Sequence, residues 1–147
     1  MKDFLFSKPT DSNSFSLLLL AFRIFFGLML MIHGFEKLYN YTQLCYTFPD
    51  PTGIGKEISL LFAIFAEILC SMAFIAGALY RLSMIPMLIV LVTAFFHVHE
   101  GSIIHGELSF IYLIVFILMY ISGPGKFSVD AKIHEQIHMK DYEAYEY

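Results

Sequence analysis

Long stretches of this chain carry no charge at all. Residues 82–99 and 108–125 hold no Asp, Glu, Lys or Arg, and neither does 24–35. A helix needs about 20 mostly apolar residues to cross a ~30 Å hydrocarbon core at ~1.5 Å per residue. Four segments reach or approach that length: about 15–38, 57–79, 82–99 and 105–122. A helix in a soluble bundle would need a polar face recurring every turn, and the run LSFIYLIVFILMYIS at 108–122 has none. Backbone groups inside lipid must be paired within a helix or a closed barrel. Alternating strands are absent, so the pattern predicts an all-α fold: an integral membrane four-helix bundle.

The connections refine this. Tyr80-Arg81 predicts a tight turn between the second and third spans, which makes them antiparallel neighbours. Residues 100–104 form another short link. Residues 39–56 form the long loop, where Pro49, Pro51, Gly53 and Gly55 oppose a regular helix. Pro86 reads as a tolerated kink, and Gly123-Pro124-Gly125 stops the fourth helix. The expected organisation is a cytoplasmic N-terminal segment 1–14, a transmembrane domain 15–125 and a cytoplasmic tail 126–147. Residues 1–14 are polar and Arg23 interrupts the following apolar run, so the first span is expected to be kept rather than cleaved as a signal peptide.

Composition agrees. Of 147 residues, 58% are hydrophobic and 15% charged. Soluble domains run nearer half and a quarter. The net charge is −4 and there is no basic run, which argues against a nucleic-acid role. Cys45 and Cys70 cannot form a disulfide framework, and no CxxC pair is present. Positive charge sets the orientation. With the N-terminus inside, inner segments hold Lys2, Lys8, Arg81, Lys126, Lys132 and Lys140, and outer loops only Lys37 and Lys56. Both termini are therefore expected in the cytoplasm, with Tyr39, Tyr41 and Tyr46 as an outer aromatic belt. The chain is expected to be a multi-pass membrane protein.

An ionisable group inside a span costs at least ~2.5–3.5 kcal/mol on insertion scales, so each needs a partner or a wet cavity. Arg23 lies about 12 Å from the inner end of the first span, and Glu67 about 18 Å from that of the second. A buried Arg23–Glu67 pair is the expectation. Gly27 and Gly34 share Arg23's face, and Ala63, Ser71 and Ala78 share Glu67's, which allows close helix approach. Such a pair can either set packing or handle substrate and protons. A second set, His33, Lys37, Thr93, His97 and Glu107, comes from three helices at similar depth. It is expected to line an outer polar pocket, or else a wet rim without a ligand. His33 or His97 would donate to a carbonyl and Glu67 or Glu107 accept a proton. A metal site is disfavoured: His97 and His99 lie about 200° apart on a helix, and no HExxH spacing occurs. A bis-histidine haem between His33 and His97 is geometrically conceivable, but two isolated histidines are thin support.

The order Arg23, Gly27, His33-Gly34, Lys37, Glu67, Gly77, Arg81, Ala94, Glu107, then Gly123-Pro124-Gly125, Ser128 and Asp130 resembles the DoxX family of small bacterial membrane proteins. HGFEKL at 33–38, the Glu67…Arg81 spacing and GPGKFSVD at 123–130 carry the resemblance, over about 15–130. It implies a four-helix membrane protein associated with quinol-linked or stress-related oxidoreductase complexes. Distant relatives act as membrane chaperones. No haem-copper ligand set, flavin motif or iron–sulfur motif is present. The reading is an accessory subunit that binds a quinone or another small hydrophobic molecule beside a redox-enzyme partner in the lipid bilayer. The alternative is a non-catalytic scaffold or chaperone. Its docking element would be the tail, where Ile133 and Ile137 lie one turn apart, although such a tail can equally be simply solvated. An oligomer is compatible with either.

Overall fold

The computed structural model of the chain describes residues 13–51 and 53–145. The N-terminal stretch through residue 12, with Lys2 and Lys8, lies outside the described residues. Every regular element described is helical: α1 (Asn13–Tyr39), α2 (Tyr41–Thr47), α3 (Lys56–Ala76), α4 (Tyr80–Val98), α5 (Glu107–Ser122) and α6 (Val129–Tyr145). Three of them, α1, α3 and α4, with 27, 21 and 19 residues, are long and apolar enough to cross a membrane. The apolar α5 has 16 residues, about 24 Å of helix.

The four apolar helices share one core. Leu30 of α1, Cys70 and Phe74 of α3, Met84, Met87 and Leu91 of α4, and Tyr112, Phe116 and Met119 of α5 are all buried together. Phe74 stacks on Tyr80 and tilts against Phe116. The outward faces remain apolar: Leu17, Phe25, Leu69, Ile89 and Leu118 are exposed, as a lipid-facing surface requires. The absence of a polar stripe, which excluded a soluble bundle on sequence, is thus a real two-sided hydrophobicity.

Helix α1 packs along the whole of α3. Two glycines make the close approach possible. A Cβ at Gly34 would sit 2.6 Å from Ile68 Cγ1 and 2.9 Å from Glu67 Cβ. A Cβ at Gly27 would meet Ile75 and would lie 3.2 Å from the Phe74 ring.

The link between α3 and α4 differs from expectation. Tyr80 and Arg81 lie inside the first turn of α4, and the reversal is made by residues 77–79. Gly77 takes the left-handed conformation at φ 68°, and the Ala78 N–H donates back to the Ala73 carbonyl at 2.9 Å, a Schellman-type stop. Glycine allows that conformation; tyrosine and arginine do not do so readily. The long connection also holds more structure than its prolines suggest. Its first half is the short helix α2, which ends at Thr47, just before Pro49 and Pro51. At the other end α5 stops at Ser122, where Gly123 has φ 81°.

Candidate functional site

The polar groups of the apolar helices fall into two separate clusters, one at each end of the molecule. The expected Arg23–Glu67 pair does not form. Glu67 is taken by Lys37, whose Nζ donates to both carboxylate oxygens, at 2.9 Å to Oε1 and 2.7 Å to Oε2. Arg23 points the other way and donates from Nη2 to the carbonyl of Phe127. The physical reason is register. Glu67 packs beside Gly34, one turn from Lys37, whereas Arg23 packs beside Gly77, ten residues further along α3 than Glu67 and about 15 Å away.

The Arg23 cluster closes the end of the molecule that carries the α3–α4 turn. Asp130, at the start of α6, accepts the Leu79 N–H at Oδ1 and the Tyr80 N–H at Oδ2, both at 2.8 Å. One carboxylate from the far end of the sequence thereby caps α4. The Asp130 N–H in turn donates to the Gly77 carbonyl at 2.9 Å. Ser128 accepts the Ala131 N–H at 3.1 Å and donates to Gly125 at 2.8 Å, which caps α6 itself. Arg23, Ser128 and Asp130 are buried, and Gly77 has no room for a side chain because Arg23 and Ser128 fill that space. The 123–130 segment is thus a clasp that fixes α1, the turn and α6 together.

The second cluster lines a cavity of about 690 Å³ at the opposite end, under the connection between α1 and α3. That volume suits a small organic ligand. The walls are mostly apolar, from Leu30, Phe62, Ala63, Val90, Leu91 and Leu108, and the roof is Leu44, Phe48, Pro49, Pro51 and Ile54. The polar groups include the Lys37–Glu67 pair, His33, Thr93, His99, His105, Ser109 and Tyr112, with Thr47 and Ser59 beside the roof. His33 sits edge-on to Tyr112 with ring centroids 6.2 Å apart, and its Nδ1 lies 3.7 Å from Glu36 Oε2. The roof is pinned by Asp50, which accepts the Gly55 N–H at 2.8 Å and the Ser59 hydroxyl at 3.0 Å. Partial burial pushes the Asp50 carboxyl up, but those hydrogen bonds outweigh it and hold it below the usual carboxylate range. Tyr41 donates to Glu57 at 2.8 Å, and that bond raises its phenol above the ordinary value.

Of the residues expected to line this pocket, His33, Lys37 and Thr93 do so, and Glu67 joins them as its base. His97 and Glu107 do not: both side chains are exposed. His99 and His105 stand at the cavity instead. The cause is a change of helical period. Residues Ala94–Val98 form a π-helical turn, with the His99 N–H donating to the Ala94 carbonyl five residues back at 3.1 Å. Thr93 and Ala94 line the cavity, and so do Val98 and His99, five positions on. An α-helix would have brought His97 to Thr93's face. A second π turn, Ala66–Cys70, contains Glu67. Both wide turns therefore border the cavity, where such bulges recur in functional sites.

A chain of apolar helices, three of them long enough to span a bilayer, packed around a cavity with an ion pair at its base, is a helical membrane protein. The sequence model of the DoxX family matches residues 18–100, more than half of the chain, and the protein belongs to that family. The matched span holds Arg23, His33, Lys37, Glu67 and both π turns. No curated protein and no solved structure matches the chain.

Proposed function

We propose that this protein binds a quinone-like or other small hydrophobic molecule in the cavity above Lys37 and Glu67, as a small subunit of a membrane oxidoreductase system. The observation that carries this is the cavity itself: 690 Å³, largely apolar, with a few convergent polar groups. The redox association implied by the family resemblance supports the same reading. Reducing a quinone takes two electrons and two protons. The electrons would come from a redox centre of the partner enzyme, and Glu67 and His33 are the groups placed to pass protons.

In this reading the four apolar helices form an antiparallel bundle in the bacterial cytoplasmic membrane, with both termini inside. The excess of Lys and Arg on the α3–α4 turn and the tail supports that orientation. Exposed Tyr39 and Tyr46 on the opposite side fit an interfacial belt.

The test is equilibrium binding of decylubiquinone to the full-length protein in detergent, compared with Ala94→Phe, which fills the cavity. Binding by the wild type and its loss in the variant is the expected result. Equal binding by both proteins places the ligand elsewhere and overturns the proposal. The scaffold reading has one supporting observation: residues 129–145 are helical, as a docking element would be. Deleting 131–147 leaves the Asp130 cap in place; a partner that co-purifies with the full chain and is lost on deletion would favour it.

A further inference from the structure

The cavity's polar base has a charge logic that goes beyond its size. Lys37 carries three N–H donors, and two are spent on the two oxygens of Glu67. One donor is left for a ligand. Glu67 is almost wholly buried and neutralises that ammonium, so the pair offers hydrogen bonds without offering net positive charge. Tyr112 supplies a second donor. It lines the cavity with 5% of its surface exposed, and its hydroxyl makes no hydrogen bond among the described residues. A hydroxyl without a protein partner at the cavity wall is free to donate to an acceptor on a ligand.

From this geometry we infer that the site selects a neutral amphiphile presenting a carbonyl acceptor, received by Lys37 and Tyr112, and rejects anionic amphiphiles such as fatty acids. An anionic headgroup beside Lys37 would also lie beside the Glu67 carboxylate, leaving one uncompensated negative charge in an apolar cavity. The other titratable groups facing the cavity are His33, His99 and His105. Only a protonated imidazole among them would offset such a charge. Glu67 acts here as a positioning residue, through its hold on Lys37, and as the electrostatic filter. The inference rests on the proposal that the cavity holds a small hydrophobic ligand, and it names that ligand's class.

The experiment is calorimetric titration of the full chain in a neutral detergent at pH 8, with decylubiquinone and with decanoate as probes. The wild type is expected to bind the quinone at least about tenfold more tightly than decanoate, since like-charge contacts in an interface cost several kcal/mol. Glu67→Gln unmasks the Lys37 charge and should reverse or abolish that preference. Tyr112→Phe, a conservative change in case Glu67→Gln fails to fold, should weaken the quinone by about fivefold, the worth of one hydrogen bond, and leave decanoate unchanged. Tight binding of both probes by the wild type, or a preference for decanoate, overturns the inference while leaving the cavity as a ligand site. An unchanged quinone affinity in Tyr112→Phe also overturns it. Failure of both probes to bind the wild type overturns the binding proposal and this inference together.

Discussion

Removing the Asp130 carboxylate should unfasten α4 at its first turn, and the cost can be worked from the contacts. Asp130 is fully buried and accepts two backbone N–H groups, those of Leu79 and Tyr80, each at 2.8 Å. A hydrogen bond to a charged group contributes about 1.5–3 kcal/mol, so two give an upper figure of about 6 kcal/mol. Measured losses for deleted helix caps, about 0.5–2 kcal/mol, set the lower side. Asp130→Ala should therefore destabilise by about 3 kcal/mol, a large share of a stability of roughly 5–15 kcal/mol. Asp130→Asn keeps one carbonyl acceptor and should lose about half as much. Buried Arg23 lies within electrostatic reach of Asp130, so the alanine variant also strands a cation. Adding Arg23→Met to Asp130→Ala should thus cost less than the sum of the two single changes. The assay is reversible unfolding in mixed micelles, followed by circular dichroism, with hydrogen exchange at residues 79–83 as the local readout. A loss below about 1 kcal/mol for Asp130→Ala, or strict additivity with Arg23→Met, would refute the clasp.

The Lys37–Glu67 pair makes a similar prediction at the other end. Lys37→Met alone leaves a buried carboxylate and should cost about 3–5 kcal/mol, whereas Lys37→Met with Glu67→Gln should be milder; a double variant worse than either single would contradict the pairing. Gly34→Val places a branched side chain where a Cβ already lies 2.6 Å from Ile68 and 3.2 Å from the Glu67 backbone, so it should cost about 1–3 kcal/mol by forcing α1 from α3; unchanged thermal unfolding would show the helices do not touch there. The Asp50 carboxyl is held below its ordinary range, so the order it gives the roof is present above the unfolded-state value and is lost as pH falls through the lowered one. Exchange at residues 53–59 should rise on acidification, and Asp50→Asn should exchange fast at every pH; a wild-type rise that persists in Asp50→Asn would assign it to another group.

The sequence and the structure agree where a property is local and part where it is long-range. The apolar helices are readable because charge-free runs are a property of each segment alone. Glycines 27 and 34 are readable as close-contact residues, since they share one helical face. Which residues they would meet is not readable, because the connection between α1 and α3, residues 40–55, is long enough to permit several registers. A pair between Arg23 and Glu67 requires one register, and the molecule uses another. An arginine can also reach toward a helix end, as Arg23 does toward Phe127, so the height of its Cα says little about the height of its charge. Asp130 shows the same limit from the other side. A carboxylate that caps a helix fifty residues earlier in the chain leaves no local trace, and a family resemblance flagged it without giving it a role.

The exchange of His97 for His99 at the cavity shows why the site is harder to read than the fold around it. The α-helical period favours His97 over His99, and it fails because the helix widens by one residue per turn at Ala94–Val98. The same widening at Ala66–Cys70 surrounds Glu67. A π turn leaves a carbonyl without its usual partner and is retained against a more stable α-helical alternative only where the altered side-chain direction is useful. Here each of the two bulges turns polar residues toward one cavity, from neighbouring helices that otherwise present apolar faces. Regular periodicity thus describes the parts of the chain that only have to be stable in lipid, and it fails at the segments that shape the pocket. Deleting Phe96 should restore an unbroken α-helix in which His99, then four residues after Ala94, keeps its place at the cavity, and should raise the unfolding temperature. An unchanged unfolding temperature would show that the bulge is not held at a cost to stability.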